Sequence, residues 1–132
     1  MKKISLLTKI TFHTFNIGLI LIYLYPGSIF GWLLYGDINK QPQLSLDFMV
    51  FSSNHFYAFI IISMIGFFTF LKSKKITYLV IYLIFLSLIL EILHLFIPGR
   101  SFQWSDLFGN LFGVVVVILI NNFINKYEHS KK

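Results

Sequence analysis

Four long apolar runs divide the chain, at about 6–25, 55–71, 76–97 and 107–124, with short polar stretches between them. Each is close to the roughly 20 residues that cross about 30 Å of hydrocarbon at about 1.5 Å per residue. In lipid an α-helix satisfies its own backbone hydrogen bonds, so each run is predicted to be a transmembrane helix. Pro26-Gly27 ends the first run and Pro98-Gly99 the third. The predicted fold is all-α, a polytopic membrane protein with four transmembrane helices in a single domain over 1–132. Between the first two runs, 26–54 is expected to form an outer loop. Within it, 29–35 is apolar but too short to span. Its Trp32 and Tyr35 suit the headgroup level, which predicts an interfacial or re-entrant stretch. The part at 37–47, which contains Pro42, reads as an exposed loop.

Composition strengthens this picture. Soluble domains carry about a quarter charged residues. With 12% charged residues and a mean hydropathy of +0.78, this chain cannot cover a water-facing surface. Its net charge of +6 does not point to nucleic acid, because the basic residues form short clusters between apolar runs and no polar face exists to track phosphates. Those clusters instead orient the chain. Lys2, Lys3, Lys9, Lys72, Lys74, Lys75, Lys126, Lys131 and Lys132 share one side of a four-span topology, and only Lys40 and Arg100 lie on the other. The positive-inside rule places the larger group, and both termini, in the cytoplasm. A three-span topology would split the clusters between sides. Lys2-Lys3 before an apolar run resembles the start of a signal peptide. A cleavage site needs small residues, however, and Ala58 is the sole alanine, so a retained first span is expected. The absence of cysteine excludes disulfides, thiolate catalysis and cysteine metal sites.

Ionisable residues in a span cost about 2.5–3.5 kcal/mol each at a helix centre, so they need partners or a purpose. Glu91 and His94, three apart on the third helix, share a face that Ser87 extends. Arg100 follows just outside that helix. Asp106, Asn110 and Gly113 share a face of the fourth helix, with Asp106 suited to its N-cap or first turn and Gly113 to close approach of another helix. His55 opens the second helix, above Phe59, Ser63 and Gly66. All these groups fall at the outer ends of their helices. If the faces meet, His55, Glu91, His94, Arg100, Asp106 and Asn110 form one polar cluster. The plainer alternative is that Arg100 pairs with Asp106 or Glu91 and the set only holds helix ends together. His13 and Asn16, in the first run, read as interfacial.

The segment Glu91-x-x-His94-x-x-x-Pro98-Gly99-Arg100, followed by Asp106, Asn110 and Gly113, resembles the signature of the VanZ-like family. His55-Phe56-Tyr57-Ala58-Phe59 is similar to that family's second-helix motif, and Tyr25-Pro26-Gly27-Ser28 to the end of its first helix. His94 stands where the family usually has glutamine. Phe51 and Ser52 occupy positions where it commonly has an aspartate–lysine pair, so no role of that pair carries over. The resemblance implies a small multi-pass protein of the bacterial cytoplasmic membrane. The family takes its name from a member linked to teicoplanin resistance, which implies envelope chemistry without fixing a reaction.

Two functions follow as expectations. In the first, the protein binds or modifies an anionic headgroup of a membrane lipid or lipid-linked wall precursor at the outer face. Arg100, Asn110 and His55 would then bind, while Glu91, Asp106 and His94 are candidates for proton transfer. In the second, it is a non-catalytic accessory or assembly protein whose polar cluster is structural. Glu91-x-x-His94 has the spacing of half a di-iron site, but the second pair is missing. A mononuclear site on His55, His94 and an acid is the weaker alternative. No metal and no cofactor is expected. Four spans without a polar stripe argue against a single-chain channel.

Overall fold

The structure is a computed structural model and describes residues 6–71 and 73–130. Those residues are all-helical. The elements are α1 (Leu6–Leu24), α2 (Ile29–Tyr35), α3 (Ser53–Phe70), α4 (Ile76–Leu93), which a 3-10 turn His94–Phe96 prolongs, and α5 (Trp104–Ser130). Four of them, α1, α3, α4 with its 3-10 turn, and α5, are long and apolar enough to cross a membrane. The chain is thus a multi-pass membrane protein. Lys2, Lys3, Lys72, Lys131 and Lys132 of the basic clusters lie outside the described residues.

The helices begin and end where local chemistry dictates, within a few residues of the apolar runs. α3 starts at Ser53, where Asp47 Oδ1 accepts a hydrogen bond from the Ser53 amide at 2.9 Å. An acceptor there satisfies one of the orphan donors of the first turn. The regular part of α4 stops at Leu93, and Ile97 is extended at φ −99°, ψ 124°. That is the backbone a residue before proline prefers. α5 begins at Trp104, ahead of the apolar run, and continues to Ser130 because no proline or glycine interrupts it after Gly113.

The segment at 29–35 forms the seven-residue helix α2. The Ser28 hydroxyl caps it by accepting from the Gly31 amide at 2.9 Å. Phe30, Trp32, Leu33, Leu34 and Tyr35 are exposed, while Gly31 is buried. Gly31 has to be glycine. The loop after α2 folds back across it, and a Cβ there would sit 1.7 Å from the Lys40 carbonyl oxygen. Gly31→Ala should therefore detach the loop from α2 at a cost of about 1–3 kcal/mol. Limited trypsin digestion in detergent should then cut faster after Lys40, with helix content unchanged.

α3 and α5 make the closest pairing. A Cβ at Gly109 would lie 2.7 Å from the Ser52 carbonyl oxygen, and one at Gly113 would lie 2.7 Å from that of Phe56. These glycines, four apart, form the G-x-x-x-G pattern that lets membrane helices touch backbone to backbone. The Ser52 amide also donates to the Ser105 carbonyl at 3.0 Å, joining the two helix starts. Around this contact sits the apolar core, with Phe59, Ile62, Leu83, Leu90 and Val114 enclosed.

α1 is more loosely enclosed, with only Phe12, Asn16 and Tyr23 buried. Asn16 is not interfacial as its position in the sequence suggested. It is buried, and its amide donates to the Tyr82 hydroxyl of α4. An amide in hydrocarbon gains by bonding across to a neighbouring helix. His13 is exposed. Near one end of the bundle Thr69 Oγ1 donates to the Thr8 carbonyl at 3.2 Å, and near the other the rings of Tyr23 and His55 meet. α1 and α3 are therefore antiparallel. The end at Tyr23 also collects the close of α4 and the start of α5.

Candidate functional site

Four helix ends converge on one polar cluster. Tyr23 comes from the last turn of α1, His55 from the first turn of α3, Glu91 and His94 from the end of α4, and Asp106 and Asn110 from the start of α5. Glu91, His94 and Asn110 are almost wholly buried, His55 is 7% exposed, and Asp106 is half-buried. The rings of His55 and His94 lie 6.5 Å apart, so the faces read from helical spacing do meet.

The burial of Glu91 has a local cause. Its Oε1 accepts from the amide of Gln103, just ahead of α5, at 2.8 Å. A carboxylate at the amino end of a helix is favoured by the backbone dipoles and free N–H groups there. Its Oε2 is 3.3 Å from His94 Nδ1 but has no hydrogen-bond partner. His94 Nε2 lies 3.1 Å from the Tyr23 carbonyl oxygen. A carbonyl only accepts, so Nε2 carries a proton. Nδ1 therefore meets Glu91 either with a second proton or with a lone pair. The contact is attractive only when one shared proton sits on the imidazole or on the carboxyl. The geometry thus joins Glu91 and His94 in one buried unit.

His55 Nδ1 is 3.1 Å from Ser52 Oγ and 3.5 Å from Asp106 Oδ1. Asn110 Oδ1 accepts from the Tyr23 hydroxyl at 2.8 Å, while its Nδ2 is buried without a partner. Arg100 is at the edge. Among the described residues it pairs with neither Glu91 nor Asp106. Its Nη2 donates to the Gly27 carbonyl at 2.6 Å and its Nε to that of Tyr25 at 3.5 Å. It thereby ties the α4–α5 connection to the turn after α1.

Sequence reasoning missed four participants. Tyr23 is central. Its ring lies 5.0 Å from that of His55 and 6.0 Å from that of His94, and it bonds α4 and α5 through its carbonyl and hydroxyl respectively. Its signal was a polar-tipped aromatic in the last turn before Pro26. Gln103 acts through its backbone and carried no side-chain signal. Ser52 and Asp47 serve the start of α3, and a serine–serine–asparagine run ahead of an apolar helix was the cue.

Two hollows adjoin the cluster. One is a groove of about 660 Å³, apolar along most of its length. It runs between α1 and α3 from Thr14 to Tyr23, about 13 Å at 1.5 Å per residue, and His55, His94 and Arg100 line its polar end. The other is a polar pocket of about 330 Å³ lined by Lys40, Asp47, Ser52, Gln103 and Asp106 among others. His55 lines both and stands at their junction. Comparison of the chain with protein-family models, with curated proteins and with solved structures gives no match.

Proposed function

We propose that this chain binds an anionic amphiphile, a membrane lipid or a lipid-linked wall precursor, at the outer face of the bacterial cytoplasmic membrane. The observation that carries the reading is the junction at His55, where an apolar groove meets a polar pocket. A hydrocarbon chain fits the groove by burying apolar surface, and a charged headgroup fits the polar pocket. Lys40 and the Arg100 N–H groups not given to Tyr25 and Gly27 supply positive charge at that level. His94 lines the polar end of the groove with Glu91 behind it, a placement that suits modification as well as binding. The orientation follows from the basic residues. Lys9, Lys74, Lys75 and Lys126 belong to the end opposite the cluster, which the positive-inside rule assigns to the cytoplasm along with both termini. The resemblance of the segment from Glu91 to Gly113 to the VanZ-like family agrees with an envelope role, with glycopeptide susceptibility as one readout.

Gly18 offers a clean test. It lines the groove, and a Cβ there meets nothing within 4 Å. Gly18→Phe should fill the groove without touching the polar cluster. Native mass spectrometry of the purified protein with added phospholipid or polyprenyl phosphate should show binding at least about tenfold weaker, a difference of about 1.4 kcal/mol. Equal affinity for wild type and Gly18→Phe would remove the groove from the proposal.

A second reading has its own support. Tyr23–Asn110, His94–Tyr23, Gln103–Glu91 and Arg100–Gly27 each join separate elements. An accessory or assembly protein with the cluster as structural glue would have the same bonds. Glutamine and leucine at position 91 separate the two readings.

A further inference from the structure

We propose that His55, Glu91 and Asp106 form a site for one divalent transition-metal ion, zinc or manganese, in the wall between groove and polar pocket. The sequence reading expected no metal, and its weaker alternative relied on His94. The structure groups a different trio. Each of the three offers one ligand atom, and these atoms lie within 4.8 Å of one another. They come from α3, α4 and α5, so the grouping is a product of the tertiary fold.

Distances suit an ion. Two ligand bonds of about 2.2 Å on opposite sides of a metal span about 4.4 Å. Small side-chain rotations would therefore close the set. A second observation points to a ligand. Glu91 is 0% exposed, and its Oε2 has no hydrogen-bond partner. That oxygen meets only His94 Nδ1, at 3.3 Å, and its remaining lone pair is free for a metal ion. The surroundings match those of metal ligands. The other oxygen of Glu91 is fixed by the Gln103 amide. Such outer partners orient the groups that ligate. The half-buried Asp106 and the adjoining polar pocket give a route of entry from water.

Charge completes the argument. Glu91 and Asp106 face each other across the cluster, and Arg100 is engaged by backbone carbonyls instead. A divalent ion would offset the charge of the two carboxylates. One imidazole and two carboxylates favour zinc or manganese over calcium or magnesium, which take oxygen ligands alone. Ion binding itself does not depend on the lipid reading.

The test uses the full chain purified in detergent without added lipid, stripped with a chelator and titrated with Zn²⁺ and Mn²⁺. Wild type should take up one equivalent by elemental analysis after desalting, and bound Mn²⁺ should lose its free-ion paramagnetic resonance signal. His55→Gln and Asp106→Asn, each checked for native helix content and elution volume, should bind at least about 10-fold more weakly, since loss of even outer partners costs about 10–100-fold. His13→Gln, at an exposed histidine of α1, should bind like wild type. No stoichiometric uptake by folded wild type would overturn the proposal. Unchanged uptake by folded His55→Gln and Asp106→Asn would also overturn it, by placing the ion elsewhere. A positive metal result with no lipid binding would reject only the headgroup proposal.

Discussion

A Gly113→Leu variant should lose most of its folded population in detergent. The Cβ alone would lie 2.7 Å from the Phe56 carbonyl oxygen and 2.9 Å from the Phe59 Cβ. The first of these is backbone and cannot swing aside. α3 and α5 would have to part, and their separation would undo the contacts of Phe59 and Val114, both at 0% exposure. Overpacking of a formed core costs about 1–3 kcal/mol, and the cost rises when backbone has to move. Thermal unfolding followed by circular dichroism, with elution volume as a check on assembly, measures the effect. Gly113→Ala should show a smaller loss in the same direction. A Leu variant as stable as wild type would mean that α3 and α5 do not meet at this glycine. Gly18→Leu is the control, because that position is open.

The second large effect is a contrast at Glu91. Leucine there should destabilise severely, because the Gln103 amide loses its acceptor and His94 Nδ1 loses its counter-group. Losing both at the meeting point of α4 and α5 removes a bond between elements and leaves the buried His94 without its partner, at about 1–3 kcal/mol for a buried group left unmatched. Glutamine keeps a carbonyl oxygen for the Gln103 amide and keeps the volume. Glu91→Gln should therefore remain folded but lose the shared proton. Membrane lipid and wall-precursor profiles, measured by mass spectrometry at matched protein levels, complete the comparison. A folded Glu91→Gln protein that fails to alter the profile as wild type does supports chemistry at the cluster. If Glu91→Gln behaves as wild type in cells while Glu91→Leu disappears, Glu91 is a structural residue.

Much of the fold was legible because the membrane restricts the options. Twenty apolar residues in lipid have little choice but helix, and Pro26 and Pro98 mark two of the ends. Glu91 with His94, and Asp106 with Asn110, were legible as faces because helical spacing is a local property. Their convergence needed only an up-and-down topology, and the 6.5 Å between His55 and His94 bears it out. Legibility stopped where the partners are backbone atoms. Arg100 looked like the mate of an acid, yet it holds the carbonyls of Tyr25 and Gly27. Nothing in residue types distinguishes a carboxylate from a turn of carbonyls as an acceptor. Gln103 and the carbonyl of Tyr23 escaped for the same reason. Gly109 is a different kind of miss. Its spacing of four from Gly113 is visible in the sequence, but Asn110 beside it marks the same turn as polar and masks the glycine pair.

The way α1 is attached bears on how the bundle is assembled. Few of its side chains are buried. Its Thr8 carbonyl accepts from Thr69 of α3, and its other links run through Asn16 to Tyr82, through the Tyr23 carbonyl to His94 and through the Tyr23 hydroxyl to Asn110. The last of these joins positions 87 apart in the chain. A lone apolar helix is already stable in lipid, since its backbone needs no neighbour. α1 can therefore enter the bilayer well before its partners exist and wander there as an independent rod. α3 holds it first, through Thr69 and the rings packed on Tyr23, and α4 and α5 then lock it with the histidine and the asparagine that bond Tyr23. α1 is then fastened in two stages, and the second also completes the cluster.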